Sequence, residues 1–208
     1  MLGTDKNVFA VGEPGLDSFI RFKLWSKEET ANNLHLDMNQ KWCLITLHPE
    51  TKLSIEENLI LAKNLFAAMQ RTFGVQYVIT KANADIGGVY INNLWAEVVE
   101  SNSDRMQLYS SLGQIRYLSF MKHADIVAGN SSSGIVEAPF MGTPVVNIGD
   151  RQKGRNICKN VICCGRDEED IYHALLKAQT SDRIIDTYWG DGYTSDRIID
   201  QIKQYLSK

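Results

Sequence analysis

The sequence predicts an α/β fold: a three-layer domain with a mostly parallel sheet and helices on both of its faces. Seven short runs of the 208-residue chain are apolar on both sides, as buried parallel strands are. Longer stretches with helical periodicity lie between most of these runs, and such alternation produces a parallel sheet covered by helices. The 15 glycines and four prolines stand at junctions between the runs, which fits one domain with no flexible linker.

The strands and helices follow from local patterns. The predicted strands are Val8–Val11, Trp42–Leu47, Gln76–Thr80, Met106–Tyr109, Asp125–Ala128, Pro144–Ile148 and Val161–Cys164. A capping box at Ser54-Ile55-Glu56-Glu57 starts the first long helix. The other predicted helices are Ala84–Val99, Gln114–His123, Ser132–Phe140, Glu168–Ala178 and Thr194–Leu206. The hexapeptide Ser-Asp-Arg-Ile-Ile-Asp occurs at 181–186 and 195–200, and we expect both copies to be helical turns.

Composition and charge exclude several classes of protein. The net charge of -3 argues against a nucleic-acid binder, because such proteins usually present a basic face. No apolar run approaches the roughly 18 residues of a membrane span, and the first residues lack the pattern of a signal peptide. The four cysteines are too few for a disulfide scaffold. We therefore expect a cytoplasmic protein whose thiols are reduced, with Cys158, Cys163 and Cys164 buried in or near strands.

The most informative segment is a turn of small residues, Gly129-Asn130-Ser131-Ser132-Ser133-Gly134, between a predicted strand and a helix. Open parallel sheets bind ligands at the carboxyl ends of their strands, and free N–H groups at a helix start favour an anion. The turn therefore favours a phosphate site, and a plain turn with a helix N-cap is the alternative.

Familiar cofactor motifs are missing from this segment and elsewhere. The glycine pairs 129/134 and 149/154 have the spacing of a P-loop, but Ile135-Val136 and Arg155-Asn156 follow them instead of Lys-Ser/Thr. The G-x-G-x-x-G motif is absent, so the sequence has neither the main motif for binding ATP nor the main motif for binding NAD. No His/Cys cluster has metal-ligand spacing, and we expect neither a cofactor nor a metal.

Two charged groups flank the turn. Glu137 stands in the first turn of the following helix, where it could accept two hydrogen bonds from a ribose diol or complement the helix dipole. Arg151, Lys153 and Arg155 follow the next strand at alternate positions, and in an extended loop they would share one side. Arginine suits phosphate oxygens, although most short charge runs are solvated loops.

Polar residues also follow the two strands before the turn. His48 ends a strand and precedes Pro49, which keeps the histidine backbone extended, so His48 is suited to acid–base chemistry or is satisfied by local backbone. Asn83 and Asp85 follow the next strand as ligand contacts or as a helix N-cap. The other histidines, His35, His123 and His173, fall in helical patterns and are expected to be structural.

The segments together resemble a known family. His48-Pro49-Glu50-Thr51, Asn83-Ala84-Asp85, Gly129 to Glu137 and Asn147 to Arg155 occur in the order and spacing of the hydrolysing UDP-N-acetylglucosamine 2-epimerases of sialic acid biosynthesis. The resemblance covers nearly the whole chain. It implies a Rossmann-like domain, the second of two in a GT-B-like enzyme. We therefore expect residues 1–208 to be a single UDP-binding domain, with the family's N-terminal domain as a missing partner.

The resemblance also implies a reaction and a set of site residues. The family converts UDP-N-acetylglucosamine and water into N-acetylmannosamine and UDP through a 2-acetamidoglucal. By this resemblance His48 is the catalytic acid–base or leaving-group residue, and the substrate-binding residues are Asn83 (sugar), Tyr117 (uracil segment), Ser131, Ser132, Ser133 and Gly134 (diphosphate), Glu137 (ribose) and Arg151 (phosphates). One histidine supplies too few acid–base groups for a two-step reaction, so we expect the chain alone to be inactive.

Two other functions remain open at this point. The chain could be the UDP-sugar-binding half of a GT-B glycosyltransferase, although its His-Pro-Glu-Thr and Arg-Gln-x-Gly-Arg strings count against that. It could also be a stand-alone nucleotide-binding module. An apolar cleft face without its partner domain would favour self-association, so a homo-oligomer is also open.

Overall fold

Six parallel strands form a single sheet in the computed structural model, which describes residues 7–207. The strands are β1 (Lys41–Thr46), β2 (Val75–Thr80), β3 (Met106–Tyr109), β4 (Ile126–Gly129), β5 (Val145–Ile148) and β6 (Val161–Cys164). Their spatial order is β3-β2-β1-β4-β5-β6, with every neighbouring pair parallel. The order reverses between β1 and β4, and such a switch point opens a crevice at the carboxyl ends of the two strands.

Helices cover both faces of the sheet. They are α1 (Asp17–Arg21), α2 (Lys27–Leu34), α3 (Ile55–Gln70), α4 (Gly88–Glu100), α5 (Gln114–His123), α6 (Ser132–Phe140), α7 (Glu168–Gln179) and α8 (Thr194–Leu206), with a 3-10 turn at Pro14–Leu16. Helices α3, α4 and α7 contribute to one hydrophobic core, and α1, α2, α5 and α6 to the other. Strand β1 serves both, because Ile45 enters the first core and Leu44 the second. The predicted three-layer α/β, Rossmann-like architecture is confirmed.

Most predicted elements are present, and the exceptions have physical reasons. Helices α5, α6 and α8 have the predicted bounds, and the Ser54–Glu57 capping box forms in both directions. The predicted strand Val8–Val11 is wrong: these residues have no regular structure. They pair with neither edge of the sheet, which ends at β3 on one side and β6 on the other. Helix α4 begins at Gly88 rather than at residue 84, after the left-handed Gly87. Neither α1 nor α2 was among the predicted helices because both are short, although the capping box at Ser26 and Glu29 marks α2.

The cysteines and the other histidines differ in part from their predictions. Cys158 is buried, but Cys163 is exposed because β6 is an edge strand. His35 ends α2 in a left-handed conformation instead of lying within a helix, and His123 contacts the Trp25 carbonyl oxygen through Nε2 at 2.9 Å. No helix within residues 7–207 has the length and apolar character needed to cross a membrane.

One sequence adopts two structures in this chain. Residues 180–186 and 194–200 have the same seven residues, which extends the repeated hexapeptide by one threonine. The second copy forms the start of α8, but the first copy is irregular, so the prediction of two helical turns is wrong for it. Tertiary contacts decide the difference, because the two arginines of the copies have different partners.

Arg183, in the first copy, holds together the carboxyl ends of two helices. Its guanidinium donates to the carbonyl oxygen of Lys122, within the last turn of α5, at 2.7 Å, and to that of Ala124, just beyond the helix, at 2.8 Å. It also donates to the Thr143 hydroxyl at 2.7 Å, just after α6. Arg197, in the second copy, instead forms a surface ion pair with Asp191.

The two arginines should therefore contribute unequally to stability. Arg183→Ala leaves several helix-end carbonyl groups without a donor and should lower the free energy of unfolding by about 2 kcal/mol. Arg197→Ala removes a surface pair and should cost less than about 1 kcal/mol. Urea denaturation of the two variants measures both values, and equal losses would contradict the assignment.

Candidate functional site

The candidate site lies where β1 and β4 end side by side. Thr46 of β1 pairs with Gly129 of β4, and the chain beyond each strand enters the crevice. Gly129 has a φ of +131°, and a Cβ at this position would overlap the carbonyl oxygen of Thr46. Only glycine permits this approach, so the turn after β4 lies directly beside the loop after β1.

Asn130 joins three segments of the site. Its side chain is fully buried. The side-chain oxygen accepts a hydrogen bond from the His48 backbone N–H at 2.7 Å, and the side-chain nitrogen donates to the His48 carbonyl at 2.8 Å. The Asn130 carbonyl oxygen accepts from Arg151 Nη1 at 3.2 Å and from Gln152 Nε2 at 2.8 Å. Local sequence patterns do not single out Asn130 within the turn, because its partners are far away in the chain.

The three serines at the start of α6 differ in what they can offer a ligand. Ser133 donates through its hydroxyl to the Ser131 hydroxyl at 3.0 Å, and Tyr117 lies 2.7 Å from the Ser133 hydroxyl. Ser131 is also the helix N-cap. Among residues 7–207, neither the hydroxyl nor the backbone N–H of Ser132 has a hydrogen-bond partner. Ser132 is therefore the serine most open to an anion, and Ser131, Ser133 and Tyr117 shape the turn around it.

Two neighbouring residues of α6 complete this side of the site. Gly134 packs closely on β5, where an added Cβ would lie 3.2 Å from Val145 Cγ1. The Glu137 carboxylate is half-buried and receives no hydrogen bond from any side chain within residues 7–207. Burial raises the pKa of the Glu137 carboxyl, as does the nearby Glu13, while the backbone N–H of Glu137 itself and Arg155 oppose the rise. A half-buried carboxylate with no side-chain donor is suited to a ligand that brings hydroxyl groups.

His48 is half-buried and held in a defined state. Its Nδ1 accepts a hydrogen bond from the Asn83 backbone N–H at 3.1 Å. In the neutral imidazole the proton is then on Nε2, which can donate to a ligand. Burial and, to a lesser extent, the nearby Arg151 lower the pKa of His48 to about 4, while Asp85 acts in the opposite direction. His48 is therefore a neutral N–H donor near pH 7.

The basic loop is not extended, so its three cations do not share one side. The backbone N–H groups of Lys153 and Arg155 return to the carbonyls of Asp150 and Gln152, which makes residues 150–155 a series of turns. Arg151 points to Asn130, whereas Lys153 is exposed and pairs loosely with Asp150 at 3.9 Å. The predicted common face is wrong, and Arg151 is the cation joined to the turn after β4.

Glu50 was not predicted as part of the site, yet it connects two of the site loops. Its buried carboxylate accepts from the Asp150 backbone N–H at 3.1 Å and pairs with Arg166 Nη2 at 2.8 Å. Gly149 has a φ of +72°, and a Cβ there would overlap the Glu50 carboxylate. Glu50 thus fixes the loop that carries Arg151 to the loop that carries His48.

Asn83 and Asp85 lie at the exposed rim of the site. The Asn83 side chain donates to Asp85 Oδ2 at 2.6 Å, and neither caps α4, which starts at Gly88. Next to them, a groove of about 380 Å³ runs along the ends of β1, β2 and β3; it is lined by Thr46, His48, Thr80, Lys81, Ser110–Gln114 and Tyr117. A larger groove of about 640 Å³ lies between residues 10–13 and 187–191 and contains none of the predicted site residues.

The structure thus brings His48, Asn83, Ser131–Gly134, Glu137 and Arg151 to one edge of the sheet, with Tyr117 beneath the serines. A family model described as UDP-N-acetylglucosamine 2-epimerase matches residues 2–203. The chain belongs to this family.

Relatives and solved structures of this epimerase family agree with the match. The GDP/UDP-N,N'-diacetylbacillosamine 2-epimerase (hydrolyzing) of Campylobacter jejuni is 37% identical over 158 residues, 76% of this chain and 41% of that protein. The UDP-N,N'-diacetylbacillosamine 2-epimerase (hydrolyzing) of Legionella pneumophila is 28% identical over 200 residues, 96% of this chain and 52% of that protein. The chain spans about half the length of these relatives.

A solved structure shares the fold at lower identity. The UDP-GlcNAc 2-epimerase from Neisseria meningitidis bound to UDP-GlcNAc superposes with a TM-score of 0.73 at 15% identity, over 97% of this chain and 56% of that chain. Such a likeness concerns the fold alone, so the roles of individual residues depend on the geometry described above.

The His48 environment predicts how stability depends on pH. The unfolded chain binds a proton on His48 near pH 6.5, but the native chain does so only near pH 4. Between these values the unfolded state holds more protons, so the His48 contribution to stability is complete above pH 6.5 and falls as the pH is lowered to 4. Denaturant unfolding of the wild type and His48→Gln from pH 7 to 4 measures it, and a difference between them that stays constant with pH would contradict the assignment.

Proposed function

We propose that this chain is the UDP-binding half of a hydrolysing UDP-N-acetylglucosamine 2-epimerase, which converts its substrate into N-acetylmannosamine and UDP. The observation that carries the proposal is a pair of open groups at the switch point. Ser132 offers unpaired donors at a helix start, and Glu137 offers a half-buried carboxylate to which no side chain within residues 7–207 donates. A nucleoside diphosphate has the matching groups, because its phosphates accept hydrogen bonds and its ribose diol donates them.

In this proposal UDP lies along the carboxyl edge of the sheet. The diphosphate occupies the start of α6, with Ser132 and the Arg151 guanidinium as its donors, and Ser131, Ser133 and Gly134 give the turn its shape. The ribose hydroxyls donate to Glu137. The groove beside Tyr117 takes the uracil, whose edge can pair with backbone groups of residues 110–113.

The same groups fit the first step of the family reaction, the elimination of UDP. Negative charge develops on the leaving diphosphate, and fixed donors at that position lower the barrier. The helix start, Arg151 and the Nε2–H of His48 supply such donors. Asn83 lies beside the His48 imidazole, on the side where we place the sugar. Proton removal at the sugar C2 needs a base, and His48 Nδ1 is already engaged by Asn83.

We therefore infer that turnover needs acid–base groups from a second domain and that this chain binds UDP without epimerase activity. Release of free N-acetylmannosamine from UDP-N-acetylglucosamine by the 208-residue chain on its own would contradict this inference.

A second candidate for the sugar comes from the relatives. The Campylobacter jejuni and Legionella pneumophila proteins are named for diacetylbacillosamine, a sugar carrying two acetamido groups. The UDP contacts proposed above are common to both substrates, so the choice between them depends on contacts to the sugar. Comparing the affinities of the two UDP-sugars for the chain together with its complementary domain decides between them.

The nucleotide contacts predict how UDP binding responds to substitution. Arg151→Ala removes a charged donor, and Glu137→Gln replaces a carboxylate that accepts through both oxygens with an amide that accepts through one, so each should weaken UDP binding about tenfold or more in a calorimetric titration. Lys153→Ala is the matched control, because Lys153 lies two residues from Arg151 and is exposed, and it should bind UDP like the wild type.

The opposite pattern would contradict the proposed site. If the folded wild type binds UDP but neither Arg151→Ala nor Glu137→Gln weakens it, the nucleotide binds elsewhere. An equal loss in Lys153→Ala would show that only overall positive charge matters.

A further inference from the structure

Three asparagine side chains hold the loops of the site in the same way. Each accepts a hydrogen bond from the backbone N–H of one loop residue and donates one to the carbonyl oxygen of that same residue, an arrangement we call an amide clamp. Asn130 clamps His48 at 2.7 and 2.8 Å, Asn92 clamps Ala82 at 2.7 and 3.3 Å, and Asn58 clamps Glu50 at 2.8 and 3.1 Å.

The clamps solve a problem of chains that leave a parallel sheet. Beyond the last ladder pair, backbone N–H and C=O groups have no neighbouring strand to pair with, and leaving them unpaired in a buried place is costly. A carboxamide carries a donor and an acceptor side by side, so it replaces the missing strand for one residue. Asn58 is on α3 and Asn92 is on α4, and both helices are packed in the core.

Two of the clamps converge on the His48 imidazole. Asn130 fixes the backbone of His48 itself. Asn92 fixes Ala82, and the next residue, Asn83, donates its backbone N–H to His48 Nδ1 at 3.1 Å. One clamp therefore fixes the backbone of His48, and the other fixes the residue next to the donor that bonds its Nδ1.

We propose that Asn92 and Asn130 are positioning residues that keep His48 Nδ1 on the Asn83 N–H and thereby present the Nε2–H to a ligand at the serine turn. The orientation of the ring follows from contacts of this chain alone, and only the statement that the Nε2–H meets a ligand rests on the proposed function. Asn92 acts at a distance, because its amide bonds Ala82 and none of the candidate ligand groups.

Asn92 is the better residue to test, since Asn130 also contacts the serine turn and Arg151. Asn92→Ala releases Ala82, which frees the Asn83 N–H from His48 Nδ1. The charged groups facing the ring, Arg151 and Asp85, stay in place. The imidazole then loses the donor that favours its neutral form with the proton on Nε2.

The experiment is NMR of the 15N-labelled imidazoles of the chain, with His48→Gln to assign the His48 signals. In the wild type we expect a neutral ring with its proton on Nε2 and a low pKa, near 4. In Asn92→Ala we expect a mixture of the two neutral tautomers, with a pKa that stays well below 6.5 because burial and Arg151, which lower it, are unchanged. UDP affinity in the same variant should fall about fivefold, the effect of one lost hydrogen bond to a positioned donor.

Two control variants separate positioning from general loosening. Asn93→Ala changes the next residue of α4, which is exposed, and should leave tautomer, pKa and affinity unchanged. Asn58→Ala removes a clamp from Glu50 and should lower thermal stability without changing the His48 tautomer. The proposal is overturned if Asn92→Ala keeps the wild-type tautomer, or if Asn58→Ala shifts the imidazole signals as far as Asn92→Ala does.

The outcome is independent of whether UDP binds. A wild-type chain that binds no UDP but shows the expected tautomer change in Asn92→Ala contradicts the proposed function and supports the positioning role. A chain that binds UDP with an unchanged tautomer in Asn92→Ala supports the function and contradicts the positioning role.

Discussion

The close approach of β4 to β1 at their carboxyl ends is the constraint on which the site depends. Thr46 and Gly129 are paired at the last position of the two strands, and the left-handed glycine turns the chain away with no side chain to keep the strands apart. Because of this turn, the residues directly after Gly129 lie close to His48. The start of α6 is aimed at the crevice, and Asn130 is buried between the loops that leave the two strands.

The site combines satisfied and unsatisfied polar groups in a way that suits a phosphorylated ligand. Its scaffold is held by hydrogen bonds: the amide clamps pair the loop backbones, and Glu50 with Arg166 fixes the loop that carries Arg151. Ser132 and the Glu137 carboxylate, by contrast, have no side-chain partner in the part of the chain that the structure describes. Leaving such groups without partners raises the free energy of the free protein. A ligand that supplies the partners removes this cost and therefore binds more tightly. A rigid scaffold also keeps these donors and acceptors in position before the ligand arrives.

Local patterns in the sequence predicted the parts of the fold that depend on neighbours in the chain. The capping box at Ser54, six of the seven apolar strands and the serine turn at the start of α6 are such signals, and each occurs where expected. Local patterns failed to predict the structure where it is set by residues that are distant in the chain. Two identical heptapeptides differ in structure because Arg183 finds helix-end carbonyls and Arg197 does not, and the clamps of Asn92 and Asn58 join residues whose relation appears only in three dimensions.

The central claim is that a nucleoside diphosphate binds at the switch point between β1 and β4. The most direct measurement is to follow the backbone amide signals of the 15N-labelled chain while UDP is added. We expect the largest shifts at Ser132, Ser133 and Gly134, with smaller shifts at His48 and in residues 110–114. Shifts concentrated at residues 10–13 and 187–191, which line the groove of about 640 Å³, with none at the serine turn, would contradict it.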